Sequence, residues 1–142
     1  MSKIFIDTNI FVYSIDTKDL VKQAKAREIL KKIIDEHLAV ISTQVVKEFY
    51  VTATTKLKLD PIIAKSIIHN FHNMEMIQND LDLIEQAIDI SILSQISFWD
   101  SLIVAAAEKA NCEYVFSEDL NAGQVFRGVK VLNPFSEQFP QL

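Results

Sequence analysis

Apolar residues follow two rhythms along this chain. Short runs rich in apolar residues occur at residues 3–6, in "LAVIS" at 38–42, in "MEMIQ" at 74–78, in "EYVF" at 113–116 and in "VKVLNP" at 129–134. Each is short enough for a strand, and the first two lack the alternation of a half-exposed one. Between them, apolar positions recur at helical spacing. Residues 19–37 place Ala26, Ile29, Leu30, Ile33 and Ile34 on one face, and residues 43–56 do the same with Val45, Val46, Phe49, Tyr50 and Ala53. Ser42 or Thr43 suits the cap of that second helix. Asp60-Pro61 opens another helix, because proline fits a first helical turn. Residues 80–94 carry Leu83, Ile84, Ala87, Ile88 and Ile92 along one side, and residues 98–110 form a helix apolar nearly all round. Buried-type strands alternating with helices predict an α/β fold, a parallel sheet with helices on both faces. Such sheets hold their ligands beyond the carboxyl ends of the strands.

That rule draws attention to "IFIDTNI", residues 4–10, where a buried-type strand runs directly into Asp7, Thr8 and Asn9. These residue types suit a helix cap and a ligand site equally. Asp100, in "SFWDSLIVAAA" (97–107), enters the most apolar helix of the chain. Ser97 and Asp100 fit a capping box. A carboxylate in apolar surroundings also calls for a compensating positive charge. Glu118 and Asp119 follow the strand at 113–116 and read equally as an ordinary acidic turn. Glu48 lies beside an apolar stripe, and periodicity does not separate it from a surface charge. Asp7, Asp100 and Asp119 all fall just past a strand or in the first turn of a helix, places that converge in such a sheet. Carboxylates meeting at one point need neutralising. Their hard oxygen donors select Mg²⁺ or Mn²⁺ over zinc, for metal-assisted phosphoryl chemistry.

Composition narrows the setting. The 142 residues suit one domain spanning 1–142, and 49% hydrophobic content excludes a disordered chain. No run of about 18 apolar residues predicts a membrane span, and "MSKIF" lacks the design of a signal peptide. Cys112 is the single cysteine, which excludes a disulfide framework and suits a reducing, cytoplasmic setting. The net charge of −5 argues against a general nucleic-acid coat protein. It is unevenly spread: residues 1–65 hold 11 Lys and Arg against 8 Asp and Glu, while residues 66–142 hold 3 against 11. Much of the basic excess lies in "KDLVKQAKAREILKK", 18–32, a pattern that also suits a solvated helix face.

"FIDTNIFVY", "ISTQVVKEFY", "FWDSLIVAAAEKANCEYVFSEDL" and "VKVLNPF" together, in this order, resemble a PIN domain, with the nearest likeness to VapC-like toxin ribonucleases of toxin–antitoxin pairs. The resemblance covers almost the whole chain. It implies a roughly five-stranded parallel sheet in a three-layer α/β/α sandwich and a metal-dependent endoribonuclease. Its four acids fall on Asp7, Glu48, Asp100 and Asp119. Asp7, Asp100 and Asp119 are expected to hold Mg²⁺ or Mn²⁺, and Glu48 to complete the cluster or orient the attacking water. Thr8 and Asn9 fall in the polar shell with Glu118, and Asp119 is preferred to Glu118 as the metal ligand.

The resemblance also implies an RNA substrate, with tRNA among the candidate targets, an antitoxin partner and a homodimer. An acidic cluster repels RNA, so basic groups must position the backbone; Lys18, Lys22, Lys25, Lys47 and Lys3 are the candidates. A dehalogenase-like phosphatase also places an Asp at the end of its first strand, but it needs a second one where this chain has Asn9. A receiver domain carries its acceptor after the third strand. The rival of a different class is a PIN-like scaffold that binds RNA or protein without cutting. His69 and His72, three apart, are read as surface or core-edge residues, Cys112 as a small hydrophobe, and Trp99 as a packing residue.

Overall fold

The first strand explains the rest of the architecture. In β1 (Lys3–Ile6) the consecutive residues Ile4, Phe5 and Ile6 are all fully buried, so both faces of the sheet are covered at its centre. The computed structural model describes residues 1–140. After β1 come α1 (Thr8–Ile15), α2 (Leu20–Glu36), β2 (Leu38–Ser42), α3 (Thr43–Thr55), α4 (Pro61–His69), a 3-10 turn (Asn70–Asn73) and β3 (Glu75–Ile77). Then follow α5 (Leu81–Ser94), α6 (Phe98–Lys109), β4 (Tyr114–Phe116), β5 (Val125–Phe126) and β6 (Val129–Leu132).

The strands lie in the order β3-β2-β1-β4-β6-β5. All neighbours are parallel except β5 and β6. Lys3 pairs with Leu38 on one side of β1, and Ile4 with Tyr114 on the other. The α/β fold with its mostly parallel sheet is the one the pattern predicts. A sixth strand, the two-residue β5, extends it. Arg127 (φ 48°) and Gly128 (φ 81°) turn that chain back on itself, the two left-handed positions of a tight hairpin.

Side chains fix the helix starts. Asp19, Ser42, Asp60, Asp80 and Ser97 each accept a backbone N–H from the first turn of the following helix. The core joins these elements through Phe11, Phe49 and Phe71, whose rings stack edge-on or tilted. In α6 every residue from Ser101 to Ala107 is buried, as its all-round apolar pattern predicts. Other helical stripes are only partly buried. Ile34, Tyr50, Ile88 and Ile92 are exposed, because each lies at the solvent margin of its stripe. The helix α1 has no apolar periodicity long enough to announce it and rests on the cap at Asp7. Among the described residues no single helix is long and apolar enough to cross a membrane.

Candidate functional site

The sheet reverses its winding between β1 and β4. From β1 the chain runs outward to β2 and β3, and from β4 it runs the other way to β6. This is the topological switch point where open α/β sheets hold ligands. Asp7 follows β1 and Ser117 follows β4, and the Asp7 N–H donates to the Phe116 carbonyl at 3.0 Å. Asp7 is buried, and its two oxygens are both engaged. Oδ1 accepts the Thr8 N–H at 2.7 Å, and Oδ2 accepts the Ser117 hydroxyl at 2.6 Å.

Ser117 is fully buried and does more than hold Asp7. Its oxygen accepts the backbone N–H groups of Asp119 (3.1 Å) and Leu120 (3.3 Å). One hydroxyl therefore ties the acidic loop after β4 to the acid after β1. Asn9 clamps the same loop from α1: its Nδ2 donates to Asp119 Oδ2 at 3.0 Å, and its Oδ1 accepts the Glu118 N–H at 3.3 Å. Thr8 donates its hydroxyl to Glu48 Oε2 at 3.4 Å. The other Glu48 oxygen accepts Gln44 Nε2 at 2.7 Å, and the same nitrogen donates to the Trp99 carbonyl at 3.3 Å. Asp100 stands in the first turn of α6, half-buried, with its N–H donated to Ser97 Oγ at 3.0 Å.

The two neighbouring acids of the β4 loop are used differently. Glu118 accepts the Tyr13 hydroxyl at 2.6 Å and pairs with Lys22, whose ammonium also donates to the Tyr13 oxygen. Among the described residues, the Asp119 carboxylate has only the Asn9 amide as its hydrogen-bond partner, and its charge acts on both Asp7 and Asp100. Burial pushes Asp7 up to about 6; its hydrogen bonds from Ser117 and Thr8 oppose this, and the charges of Glu48 and Asp119 add to it. Burial also raises Asp100, opposed by Ser97 and reinforced by Asp119. The acids thus feel one another as like charges that resist joint ionisation.

Among the described residues, no three His, Cys, Asp or Glu side chains stand close enough to enclose a cation by themselves. The chemistry of the donors nevertheless fits a hard divalent ion. Every donor is a carboxylate oxygen, the charges repel, and Mg²⁺ keeps several waters between itself and its ligands. His69 and His72 have rings 5.2 Å apart, and both are exposed.

A single observation decides the family: the PIN domain model matches residues 4–127. The chain belongs to the PIN domain family. Solved structures of similar fold include a toxin–antitoxin complex from Klebsiella pneumoniae (TM-score 0.68, 18% identity, 93% of this chain and 98% of that one). They also include the sarcin–ricin-loop-cleaving toxin VapC20 of Mycobacterium tuberculosis (TM-score 0.65, 20% identity, 82% and 91%). The Rickettsia felis VapBC2 complex, bound to a DNA fragment from its promoter, is similar as well (TM-score 0.66, 18% identity, 91% and 96%). No curated protein matches the sequence.

Around the acids of this PIN domain, the basic residues divide. Lys18 and Lys47 are exposed, and Lys47 lines a cleft of about 430 Å³ with Gln44, Glu48, Asn79, Trp99 and Leu102. Lys22 is committed to Glu118, and Lys25 lies 3.9 Å from Glu28. Lys3 is a correction: it starts β1, at the opposite end of the strand from Asp7, and is held by the Ala110 carbonyl (2.8 Å) and Glu75 (2.9 Å). Trp99 is another, since its side chain is 65% exposed beside the acids instead of packed. Ser117, Gln44 and Tyr13 carry no mark in the sequence. Only the position of Ser117, between a strand and an acid pair, hints at its part.

Proposed function

We propose that this PIN domain is a divalent-metal-dependent endoribonuclease, the toxin of a toxin–antitoxin pair. The observation that carries the reading is the meeting of Asp7, Asp119, Asp100 and Glu48 at the switch point, where burial raises Asp7 to about 6 and the charges of Glu48 and Asp119 add to the rise. Such a cluster of unbalanced carboxylates is what a catalytic cation would neutralise. The toxin assignment draws support from the fold shared with VapC20, which cleaves the sarcin–ricin loop, and with the VapBC complexes.

Asp7, Asp100 and Asp119 would hold Mg²⁺ or Mn²⁺, directly or through water. When bound, the cation polarises the scissile phosphate and acidifies a neighbouring water. Glu48, fixed by Thr8 and Gln44, orients the attacking water and accepts its proton. Asn9 and Ser117 hold Asp119 and Asp7 against their mutual repulsion. A water nucleophile leaves a 5′-phosphate on the product. Lys18 and Lys47 are the free basic groups for the RNA backbone, with Lys22 and Lys25 available only at the expense of their acidic partners. The chain is expected to act in the cytoplasm, to be silenced by an antitoxin and to form a homodimer.

The test is cleavage of a tRNA and small-RNA pool by the purified chain, with Mg²⁺, Mn²⁺ and EDTA arms beside Asp7→Asn and Asp100→Asn. Cutting that needs both a metal and the two aspartates is expected. Equal activity of wild type and variants would refute the assignment.

A further inference from the structure

We propose that the cleft between α3 and the start of α6 is a subsite for one nucleobase of the RNA, with Trp99 as its stacking platform and a preference for a base carrying an exocyclic amino group. The inference rests on the ribonuclease reading of the neighbouring acids and adds to it how the strand is held.

Three observations converge. The first is exposure. Trp99 presents 65% of its surface to solvent in a chain whose helix α6 is otherwise buried from Ser101 to Ala107. An exposed indole beside a phosphate-cutting site suits a base, since every base has a face to stack and the gain does not depend on sequence. The second is connection. The Trp99 carbonyl accepts Gln44 Nε2, and that same nitrogen holds Glu48, so cleft and acids share one hydrogen-bond network. The third is unmet bonding. Gln44 Oε1 and Asn79 Oδ1 are both buried without a donor, and both residues line this cleft. Gln44 is only 8% exposed, and its amide is oriented by the two bonds its nitrogen donates. Buried polar atoms without a partner are rare and call for an explanation, and a donor entering the cleft supplies one.

The missing groups are hydrogen-bond donors, which a base supplies through its N–H groups. Adenine and cytosine each offer an amino group with two hydrogens, and guanine offers an amino group beside its ring N–H. Uracil has a single N–H flanked by two carbonyls, which would set acceptor against acceptor. The volume of about 430 Å³ admits a base with room for its sugar. Lys47, at the cleft wall, supplies the charge for an adjoining phosphate.

Trp99 is the only tryptophan of the chain, so its fluorescence reports this subsite alone. Asp7→Asn protein would be titrated with oligo(A), oligo(C) and oligo(U) ribonucleotides, with Mg²⁺ and with EDTA, beside cleavage by wild type. Quenching is expected with all three, with oligo(U) binding about 10-fold more weakly. Trp99→Ala, followed by anisotropy of labelled oligo(A), should bind about 5- to 100-fold more weakly. Asn79→Leu should lower oligo(A) affinity toward that of oligo(U) while quenching persists. Absence of quenching by any oligonucleotide, while wild type still cuts RNA, would overturn the subsite and leave the nuclease standing. Equal affinity for oligo(A) and oligo(U) would overturn the amino preference. Quenching in a chain that never cuts RNA would support the subsite and refute the nuclease.

Discussion

Replacing Asp7 by asparagine should abolish cleavage and make the protein more stable. Asp7 is 7% exposed, and burial lifts it from an ordinary 3.8 to about 6. At 1.36 kcal/mol per pH unit, that displacement corresponds to about 3 kcal/mol by which ionised Asp7 weakens the fold. The sign follows from the raised value. Between pH 3.8 and about 6 the folded chain keeps a proton that the unfolded chain has lost, so stability falls as pH rises through this window and is flat above it. Asparagine carries no charge at any of these pH values. Its oxygen still accepts the Thr8 N–H, but its amide meets a Ser117 oxygen already accepting two N–H groups, and the Ser117 hydroxyl loses its acceptor. That mismatch costs about 1 kcal/mol. The net gain at pH 7.5 is about 2 kcal/mol, or a Tm increase of about 6–8 °C for a chain of this size. Thermal unfolding of both proteins in EDTA from pH 4 to 7.5 measures it. The advantage of the variant should be greatest above pH 6.5 and shrink toward pH 4. A variant less stable than wild type at pH 7.5, or a difference independent of pH, would refute the argument.

Further outcomes follow from the same geometry. Adding Mg²⁺ should raise the wild-type Tm and leave that of Asp7→Asn nearly unchanged, read by the same unfolding curves. Metal affinity should increase with pH between 5 and 7 as Asp7 loses its proton, which calorimetric titration at several pH values would reveal. Tyr13→Phe and Lys22→Met release Glu118 and with it the loop that carries Asp119; activity should drop about 10-fold with less than about 1 kcal/mol lost in stability, since these groups are partly exposed. Product ends should carry 5′-phosphate, and 2′,3′-cyclic phosphate would mean that the ribose hydroxyl, not water, attacked. If Lys47 contacts the backbone, Lys47→Ala should reduce the salt slope of RNA binding by about 1.

The fold was legible because its signal is local. Consecutive buried Ile4, Phe5 and Ile6 cannot be mistaken for a half-exposed strand, and the uninterrupted apolar surface of α6 marks a buried helix. Asp7, Asp100 and Asp119 were legible as candidates because strand ends and helix starts are visible in sequence. What joins them was not. Ser117 and Asp7 are 110 positions apart, and their hydrogen bond exists only because β4 lies beside β1. The roles of Glu118 and Asp119 depend on what faces each one, Tyr13 and Lys22 or Asn9, and adjacent acids look alike in sequence. Trp99 was misread for a related reason. It stands next to Asp100 at the start of the most apolar helix, but that first turn of α6 has not yet entered the core. The basic run at 18–32 spreads around α2, and its residues are divided among partners that only the tertiary structure reveals.

The pairing of Glu118 with Lys22 and Tyr13 bears on how mutually repelling acids are held together. Asp119 is exposed, repelled by Asp7 and Asp100, and sits on a loop with no regular structure of its own. Left to electrostatics, it would swing into water and the cluster would disperse. Three attachments prevent this: the Ser117 hydroxyl under the loop, the Asn9 amide on the Asp119 carboxylate, and the Glu118 contacts to α1 and α2. Two of them act on groups next to Asp119 and leave its oxygens available. Glu118 is therefore best explained as an anchor, its negative charge spent on Lys22 so that the charge of Asp119 need not be. Glu118→Gln, which keeps the Tyr13 hydrogen bond and loses the ion pair, separates the two roles. An anchor predicts weakened metal binding without a change in the number of ions bound, whereas a ligand predicts that one binding event disappears.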